Sequence, residues 1–283
     1  MAVRVVVDST SDIPHDRAQA LGIEVAPLVV LFGDNEFRDG VDLTADEFYR
    51  KLTSSSVTPT TSAPSIGTFQ EAYRKVIREG ADAVLEISLA GKLSATYGNA
   101  TQAAKTVSAE TGVPIEVIDS GTVSGGFGMP AEIVAREAQQ GASLEQVKAH
   151  AQSMLARIRL YAALDTLEYL KRGGRIGSAR ALLGSLLNVK PLIEVREGQV
   201  LPVENVRTRS KAQERIGQIA SGHGQIEAVA VVRSSDAVGE QFNRITRTFW
   251  DGPIYEYVLG PVVGAHAGPG AGGIIVLNRD AQG

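Results

Sequence analysis

The sequence predicts an α/β protein with an N-terminal parallel-sheet domain and a C-terminal mixed α/β domain. In the first half of the 283-residue chain, short apolar runs alternate with helical patterns, which is typical of a parallel sheet covered by helices. Capping boxes mark helix starts at Thr44 and Ser143. The second half breaks this alternation with a hairpin pattern around Glu197-Gly198, which indicates a mixed sheet.

Most elements of the first half are bounded by residues that favour those boundaries. Gly22 stops a helix over 15–21, Thr44 starts one that runs to 52, and Ser65 caps one that runs to 78. One strand is expected over 24–32 and a Ser/Thr/Pro loop over 53–64. The other elements expected here are strands 3–7, 83–87 and 115–118 and helices 94–111, 123–140 and 144–157.

The second half begins with a strand over 159–164, so we place a domain boundary near Arg157. The two predicted domains are residues 1–157 and 158–283. Gly173-Gly174 separates two short helices, and Glu197-Gly198 joins the hairpin strands. The expected elements are helices 167–172 and 178–188, hairpin strands 192–195 and 200–204, helix 210–221, strand 228–232, helix 237–250, and three short strands ending at 277.

Composition excludes several classes of function. The chain is 43% hydrophobic and 21% charged, as expected of a soluble globular protein, and its net charge of −4 argues against a nucleic-acid partner. The absence of cysteine removes thiolate metal sites and disulfides and fits the cytoplasm. The four histidines are scattered, so we expect no metal and no cofactor. The apolar runs are too short for a membrane span, and the N-terminus lacks the features of a signal peptide.

Four short segments rich in hydroxyls and glycines supply the candidate binding site. They contain Thr61 and Ser62, Ser94, Ser120, and His266. Together they would form a pocket of neutral donors at helix N-termini, which suits a small anion. Each segment also has a simpler interpretation, because Ser and Thr commonly cap helices and a lone histidine commonly bonds backbone. The glycines after His266 favour a ring N–H donated to a ligand, since they allow close approach.

Other interpretations remain open from the residues alone. The run 268–273 matches a dinucleotide fingerprint in spacing, but the residues after it predict a strand where that motif needs a helix. Ser94, His266 and Asp119 could form a hydrolase triad, which leaves an acyl or phosphoryl hydrolase or transferase as an alternative.

Three further segments also bear on function. Arg175 and Arg207 belong to basic clusters that indicate an anion, an acidic partner or a phosphorylated metabolite. Residues 181–193 are apolar nearly all round, which is typical of a buried helix or of a lining for an apolar ligand.

Eight segments, taken in order, carry a resemblance to a known family. They are DSTSD (8–12), TSAPS (61–65), LSATY (93–97), VIDS (117–120), KRGGRI (171–176), LNVKP (187–191), VRT (206–208) and GAHAGPG (264–270). The chain therefore resembles the DegV family of bacterial fatty-acid-binding proteins over nearly its whole length. Ala63 stands where the family usually has glutamine, and Ala95 where it often has glycine. Neither change removes a hydroxyl.

The resemblance implies a two-domain protein that binds a long-chain fatty acid between its domains. It implies that Thr61 and Ser94, with Ser62 beside them, hold the carboxylate, that His266 lies close, and that two arginines contact the head group or a partner. These arginines are Arg175 and Arg207. Family members present the acid to an ATP-dependent fatty acid kinase that forms the acyl phosphate. The implied role is a cytoplasmic, non-enzymatic carrier in phospholipid metabolism, with the kinase and an acyl-phosphate acyltransferase as partners.

Overall fold

The structure is a computed structural model, and it describes residues 2–183 and 189–279. These residues contain thirteen strands and ten α-helices, numbered here in chain order. The strands are β1 Val3–Asp8, β2 Glu24–Ala26, β3 Val29–Phe32, β4 Asn35–Arg38, β5 Thr60–Ser62, β6 Ala83–Ser88, β7 Ile115–Asp119, β8 Ile158–Ala163, β9 Lys190–Arg196, β10 Gln199–Val206, β11 Ile226–Arg233, β12 Ile254–Val258 and β13 Gly272–Asn278. The helices are α1 His15–Leu21, α2 Ala45–Ser54, α3 Ile66–Arg78, α4 Thr96–Thr111, α5 Gly125–Gln139, α6 Leu144–Arg157, α7 Glu168–Arg172, α8 Arg209–Ser221, α9 Asp236–Thr246 and α10 Pro261–Ala267.

The first half forms a parallel sheet of four strands in the order β2-β1-β6-β7. Every residue of β6 is buried, as expected for a central strand with helices on both faces. The capping boxes are confirmed, since Thr44 and Glu47 at the start of α2 exchange hydrogen bonds, as do Ser143 and Gln146 at α6. The predicted α/β class of this half is therefore confirmed.

The second half forms a mixed sheet of six strands in the order β10-β9-β8-β13-β11-β12. The hairpin turn between β9 and β10 uses Glu197 and Gly198, whose φ angles are 52° and 70°. Two successive residues with positive φ match the twist of a two-residue hairpin, so this prediction is also confirmed. A small antiparallel sheet, β4-β3-β5, lies apart from the two larger sheets.

A continuous cluster of buried apolar side chains joins the two larger sheets. It includes Leu85 from β6, Phe127 and Met154 from α5 and α6, and Ile275 from β13. Both helices contact strands of both sheets. Helix α6 ends and β8 begins at the boundary predicted near residue 157. The division into two domains stays a prediction, because the core is shared across that boundary.

Three sequence-based assignments were wrong. The strand expected over 24–32 is broken at Pro27 and Leu28, so β2 joins the parallel sheet and β3 joins the small sheet. The loop expected over 53–64 contains β5, which pairs with β3. The last of three strands expected before 277 is present, but helix α10 stands between it and β12. Pro261 at the first position of α10 favours a helix start because its φ is already helical.

The helix expected over 178–188 is only partly within the described residues. Residues Gly177–Leu182 form a short 3₁₀-helix. Residues 184–188 lie outside the described part of the chain. They are five of the thirteen residues of the apolar segment 181–193 that was considered as a ligand lining, and residues 190–193 of that segment belong to β9.

Candidate functional site

An apolar cavity lies between the two larger sheets. One wall is formed by β8, β9, β10 and β11, and the opposite wall by segments that follow β1 and β6 in the parallel sheet. These segments lie at the carboxyl ends of the parallel strands, which is where open α/β sheets bind ligands. The space between its lining atoms totals about 940 Å³, a figure that includes open solvent at its mouth.

The lining of the cavity is predominantly apolar. Of the 25 described residues that border it, 17 are Ala, Val, Leu or Ile. Those on the sheet side are Leu160, Ala162, Ile193, Val195, Val200 and Val232. Ile193 belongs to the segment 181–193 that was considered as a lining for an apolar ligand, whereas no such role was predicted for the other five. Period-two alternation indicates which side of each strand is apolar, but the cavity also depends on the order in which distant strands pair.

Five of the six predicted site residues line this cavity: Thr61, Ser62, Ser94, Arg175 and His266, called here the polar cluster. The oxygen Oγ1 of Thr61 lies 2.8 Å from Nε2 of His266. Ser62 and Arg175 are exposed, whereas the other three are half-buried. The polar cluster therefore lies at the mouth of the cavity.

Backbone carbonyls hold Arg175 within the polar cluster. Its Nη1 donates to the carbonyl oxygen of Gly173 at 2.6 Å, and its Nε donates to that of Leu93 at 3.1 Å. Leu93 precedes Ser94, so these bonds fix the guanidinium beside the Ser94 loop. Its positive charge is close enough to lower the pKa of His266.

Local structure positions each of the other polar groups. Thr61 lies on β5, where it pairs with Val30 of β3. Ser94 precedes α4, and its Oγ accepts a hydrogen bond from the backbone N–H of Thr96 at 3.3 Å. His266, which was expected in a glycine-rich loop, instead lies in the last turn of α10. The helix therefore fixes the direction in which its ring projects.

His266 is neutral at physiological pH. Burial, together with the nearby Arg175 guanidinium, lowers the pKa of its imidazole to about 4. Its Nε2 contacts Thr61, and its Nδ1 is buried without a hydrogen-bond partner among the described residues. From the sequence, a ring N–H of His266 was expected to donate directly to a ligand. In this structure Nε2 contacts the hydroxyl of Thr61.

Arg207 is the one predicted site residue that the structure does not bring to the cavity. It is exposed in the turn between β10 and α8 and is absent from the described cavity lining. Its suggested role in contacting a partner stays a prediction.

A buried carboxylate at the end of β1 supports the cavity walls, although no role was predicted for it from the sequence. Asp8 accepts hydrogen bonds from the backbone N–H groups of Leu89 at 2.6 Å and Thr10 at 3.0 Å, both of which line the cavity. Burial raises the pKa of Asp8 to about 6, although these hydrogen bonds oppose the shift.

Two more buried carboxylates converge on the start of α10. Asp12 accepts the backbone N–H of Gly260 at 2.9 Å and the hydroxyl of Ser124 at 2.5 Å. Asp39 accepts the Ser9 hydroxyl at 2.8 Å and also a backbone hydrogen bond from α10. Burial raises the pKa of Asp12 well above its usual range and that of Asp39 to about 7. These acids thus anchor the helix that carries the histidine of the polar cluster.

The triad considered from the sequence is not assembled in this structure. Ser94 Oγ lies 2.8 Å from Thr96 Oγ1. Asp119 accepts backbone N–H groups of Gly91 and Gly121, and His266 Nδ1 has no carboxylate partner among the described residues. A general base oriented by an acid is therefore lacking in this arrangement.

The described part of the chain contains neither a metal-binding group nor a membrane-spanning helix. In residues 2–183 and 189–279, no three His, Asp or Glu side chains are grouped so that they could hold a metal ion. No helix in the same ranges combines the length and the apolar character needed to cross a bilayer.

Comparison with known sequences identifies the family. The sequence model described as "Uncharacterised protein, DegV family" matches residues 2–279. The chain belongs to the DegV family. A DegV domain-containing protein of Deinococcus radiodurans is 36% identical over 283 residues, with 97% of this chain and 98% of the relative covered. One from Streptomyces coelicolor is 33% identical over 282 residues, with coverages of 98% and 99%.

Solved structures of DegV proteins confirm the α/β fold. A DegV family protein from Thermus thermophilus, described by its fatty acid binding, superposes with a TM-score of 0.88 at 33% identity, covering 99% of this chain and 100% of the other. DegV from Bacillus subtilis, described as a fatty acid binding protein, gives 0.86 at 30% identity, with the same coverages. A stearic-acid-binding protein from Eubacterium ventriosum gives 0.89 at 26% identity, with 97% of each chain covered.

Proposed function

We propose that this DegV protein binds a long-chain fatty acid and presents its carboxylate to an ATP-dependent fatty acid kinase. One observation carries the binding proposal: a cavity lined mainly by Ala, Val, Leu and Ile has a cluster of hydrogen-bonding groups at its mouth. A molecule with one polar end and a long alkyl chain matches that division. The fatty-acid-binding relatives from Thermus thermophilus and Bacillus subtilis support the same ligand class.

The alkyl chain supplies most of the affinity. Each buried methylene contributes about 0.8 kcal/mol, so a chain of about fourteen methylenes gains roughly 11 kcal/mol before the costs of binding. The wall from β8 to β11 offers Leu, Ile, Val and Ala side chains and no charged group. A polar metabolite would leave this surface without matching contacts, so the cavity favours an acyl chain over a sugar phosphate.

The polar cluster satisfies the carboxylate. A buried carboxylate without partners is very costly, so the head group needs donors even where they add little affinity. Thr61 and Ser94 offer hydroxyls, and Arg175 offers a guanidinium beside them. Because His266 is neutral, Arg175 is the only cationic side chain in the described cavity lining.

Presentation to a kinase fits the position of the polar cluster. Ser62 and Arg175 are exposed, so a carboxylate held there stays reachable while the alkyl chain lies inside. Phosphoryl transfer from ATP to that carboxylate would form the acyl phosphate on the partner enzyme. In this proposal the protein is a cytoplasmic carrier with no catalytic group of its own, exposed Arg207 contacts the partner, and an acyl-phosphate acyltransferase receives the product.

Native mass spectrometry with lipid extraction tests the ligand. We expect an added mass that matches a C14–C18 acid, or uptake of added oleate or palmitate by the delipidated protein. Thr61→Val should weaken binding about 10-fold, because it removes a donor to a charged group and keeps the side-chain shape. Thr106→Val is the matched control, since its hydroxyl bonds a carbonyl of its own helix, away from the cavity. A protein that takes up no fatty acid contradicts the proposal.

A coupled assay tests presentation separately. The loaded protein is mixed with ATP and a bacterial fatty acid kinase, and acyl phosphate is trapped with hydroxylamine. We expect product only with carrier, kinase and ATP together. Arg207→Ala should lower the rate while leaving fatty-acid affinity unchanged, because Arg207 lies outside the described cavity lining. A rate that does not depend on the carrier would refute presentation and leave the binding proposal intact.

A further inference from the structure

The two glycines of the K-R-G-G-R segment are required for different reasons. Gly174 has a φ of 71°, a conformation that favours glycine, and a Cβ added there would meet no atom within 4 Å. Gly173 has a φ of −74°, which any residue adopts. Its backbone conformation therefore does not explain why glycine occupies this position.

A side chain at Gly173 would collide with the imidazole of His266. The position of an added Cβ lies 2.1 Å from Nδ1 and 2.6 Å from Cε1 of that ring. The third-nearest atom is the carbonyl oxygen of Tyr169 at 3.3 Å, so every other ring atom is at least that far away. These distances place the Cβ position close to the ring plane, on the outer side of Nδ1. In glycine a Cα–H bond points in this direction, toward the edge of the ring where an Nδ1 proton would lie.

We propose that Gly173 is a positioning residue that holds His266 in the tautomer with its proton on Nε2. A proton on Nδ1 would point at the Cα–H of Gly173 and would have no acceptor among the described residues, and buried N–H groups without acceptors are rare in proteins. A lone pair on Nδ1 instead faces a weakly polar C–H group, which is a favourable contact of minor strength. The inference deepens the proposed fatty-acid function, since it concerns the same site.

The tautomer sets the direction of the hydrogen bonds toward the ligand. With the proton on Nε2, His266 donates to Oγ1 of Thr61 across the 2.8 Å contact. The hydroxyl hydrogen of Thr61 is then free to point into the cavity and donate to a carboxylate oxygen. With the opposite tautomer Thr61 would donate to the ring and could only accept from the ligand, which an ionised carboxylate cannot use. The lowered pKa of His266 agrees with a single ring proton.

Packing between α7 and α10 brings the C-terminal ends of the two helices together. Tyr169 of α7 covers Gly268 at the end of α10, where an added Cβ would lie 2.3 Å from Cδ2 of the tyrosine. His266 of α10 in turn covers Gly173 at the end of α7. Each helix thus places a ring over the glycine that ends the other, so a methyl group at Gly173 would have to displace the imidazole.

Nitrogen-15 NMR of the imidazole rings in the ligand-free protein tests the tautomer directly. The His266 signals are identified by their loss in His266→Ala. We expect the pattern of a neutral ring with a protonated Nε2 and an unprotonated Nδ1. A protonated Nδ1 would overturn the proposal even if fatty acid binds as proposed. The NMR result stands without any ligand, so it is distinguishable from failure of the binding function.

A double-mutant cycle tests the role of Gly173 in binding. Gly173→Ala and His266→Ala should each weaken fatty-acid affinity about 10-fold, the effect of losing one oriented donor to a charged group. The double variant should bind no more weakly than His266→Ala, because the methyl then has no ring to displace. Gly98→Ala is the control, since a Cβ there meets nothing within 4 Å. Additive losses in the double variant would overturn the positioning role, and folding of each variant is checked by circular dichroism.

Discussion

Replacement of Asp39 by asparagine should make the protein less sensitive to alkaline pH. Burial raises the pKa of this carboxyl to about 7, against 3.8 for an ordinary aspartate. The native carboxyl therefore keeps its proton over a range where the unfolded chain has lost it. The contribution of this group to the free energy of unfolding is fully present below pH 3.8 and is lost as pH rises through 7. The difference between the two pKa values corresponds to a loss of about 4 kcal/mol in the free energy of unfolding at high pH. Asparagine cannot ionise, so the variant avoids this loss.

The assay is urea unfolding at a series of pH values for the wild type and Asp39→Asn. We expect the difference in unfolding free energy to move by about 4 kcal/mol in favour of the variant between pH 4 and pH 8.5. The amide oxygen can still accept from Ser9, so the change at pH 4 should be small. Coupling to the neighbouring Asp8, whose charge raises the same pKa, spreads the transition over a wider pH range.

Asp42→Asn is the control, because the pKa of Asp42 is shifted in the direction opposite to that of Asp39. Asp42 is exposed and bonded to Arg38, which lowers its pKa to about 2. Its contribution is present above pH 3.8 and is lost only as pH falls toward 2, so this variant should show no pH dependence between 5 and 8.5. If Asp39→Asn also gave a difference independent of pH, the argument from burial would be refuted.

Three further predictions concern single side chains. The ring of His266 should stay neutral from pH 5 to 8, since burial lowers its pKa to about 4, and an NMR titration with an inflection near 6.5 would contradict this. Ala162→Phe should fill part of the cavity and shift the extracted acids to shorter chains; an unchanged lipid profile would place the acyl chain elsewhere. Tyr257→Phe should cost about 1–3 kcal/mol in urea unfolding, because the tyrosine donates to the fully buried Glu132 at 2.7 Å, and no loss would show that Glu132 needs no donor there.

The sequence predicted those elements whose boundaries are set locally. Thr44 and Ser143 bond their own helices, so the starts of α2 and α6 needed no knowledge of the tertiary structure. The turn at Glu197-Gly198 is likewise determined by the conformations that two adjacent residues adopt. The alternation of strands and helices then gave the α/β class.

Helix α10 shows why other elements were missed. Its valines and glycines favour a strand or a loop, and its seven residues are too few for helical periodicity to show. The N–H of Gly260 at its start bonds Asp12, and a backbone N–H within its first turn bonds Asp39, residues that lie more than 200 positions away in the chain. Distant carboxylates thus stabilise this helix, and no local pattern contains them.

In the candidate site, too, local motifs were predictable and features that depend on distant residues were not. Five of the six residues chosen from motifs and resemblance line one cavity, so the motifs identified its polar cluster. The apolar walls were not predictable, because β13, the last strand, inserts between β8 and β11 in the sheet. The role inferred for Gly173 depends on contact with a ring 93 positions later, which spacing within the K-R-G-G-R segment does not reveal.

The cavity borders the continuous core that joins the two larger sheets, since Leu160, Ala162 and Ile193 belong to both. If the proposed acyl chain binds there, it would pack as part of the core and make contacts that the protein's own side chains do not make. A ligand that binds only the folded protein raises its stability, by about 2.7 kcal/mol at a hundredfold excess over Kd. With the proposed ligand, the melting temperature would therefore report occupancy, and heat resistance in the cell would follow the supply of free fatty acid.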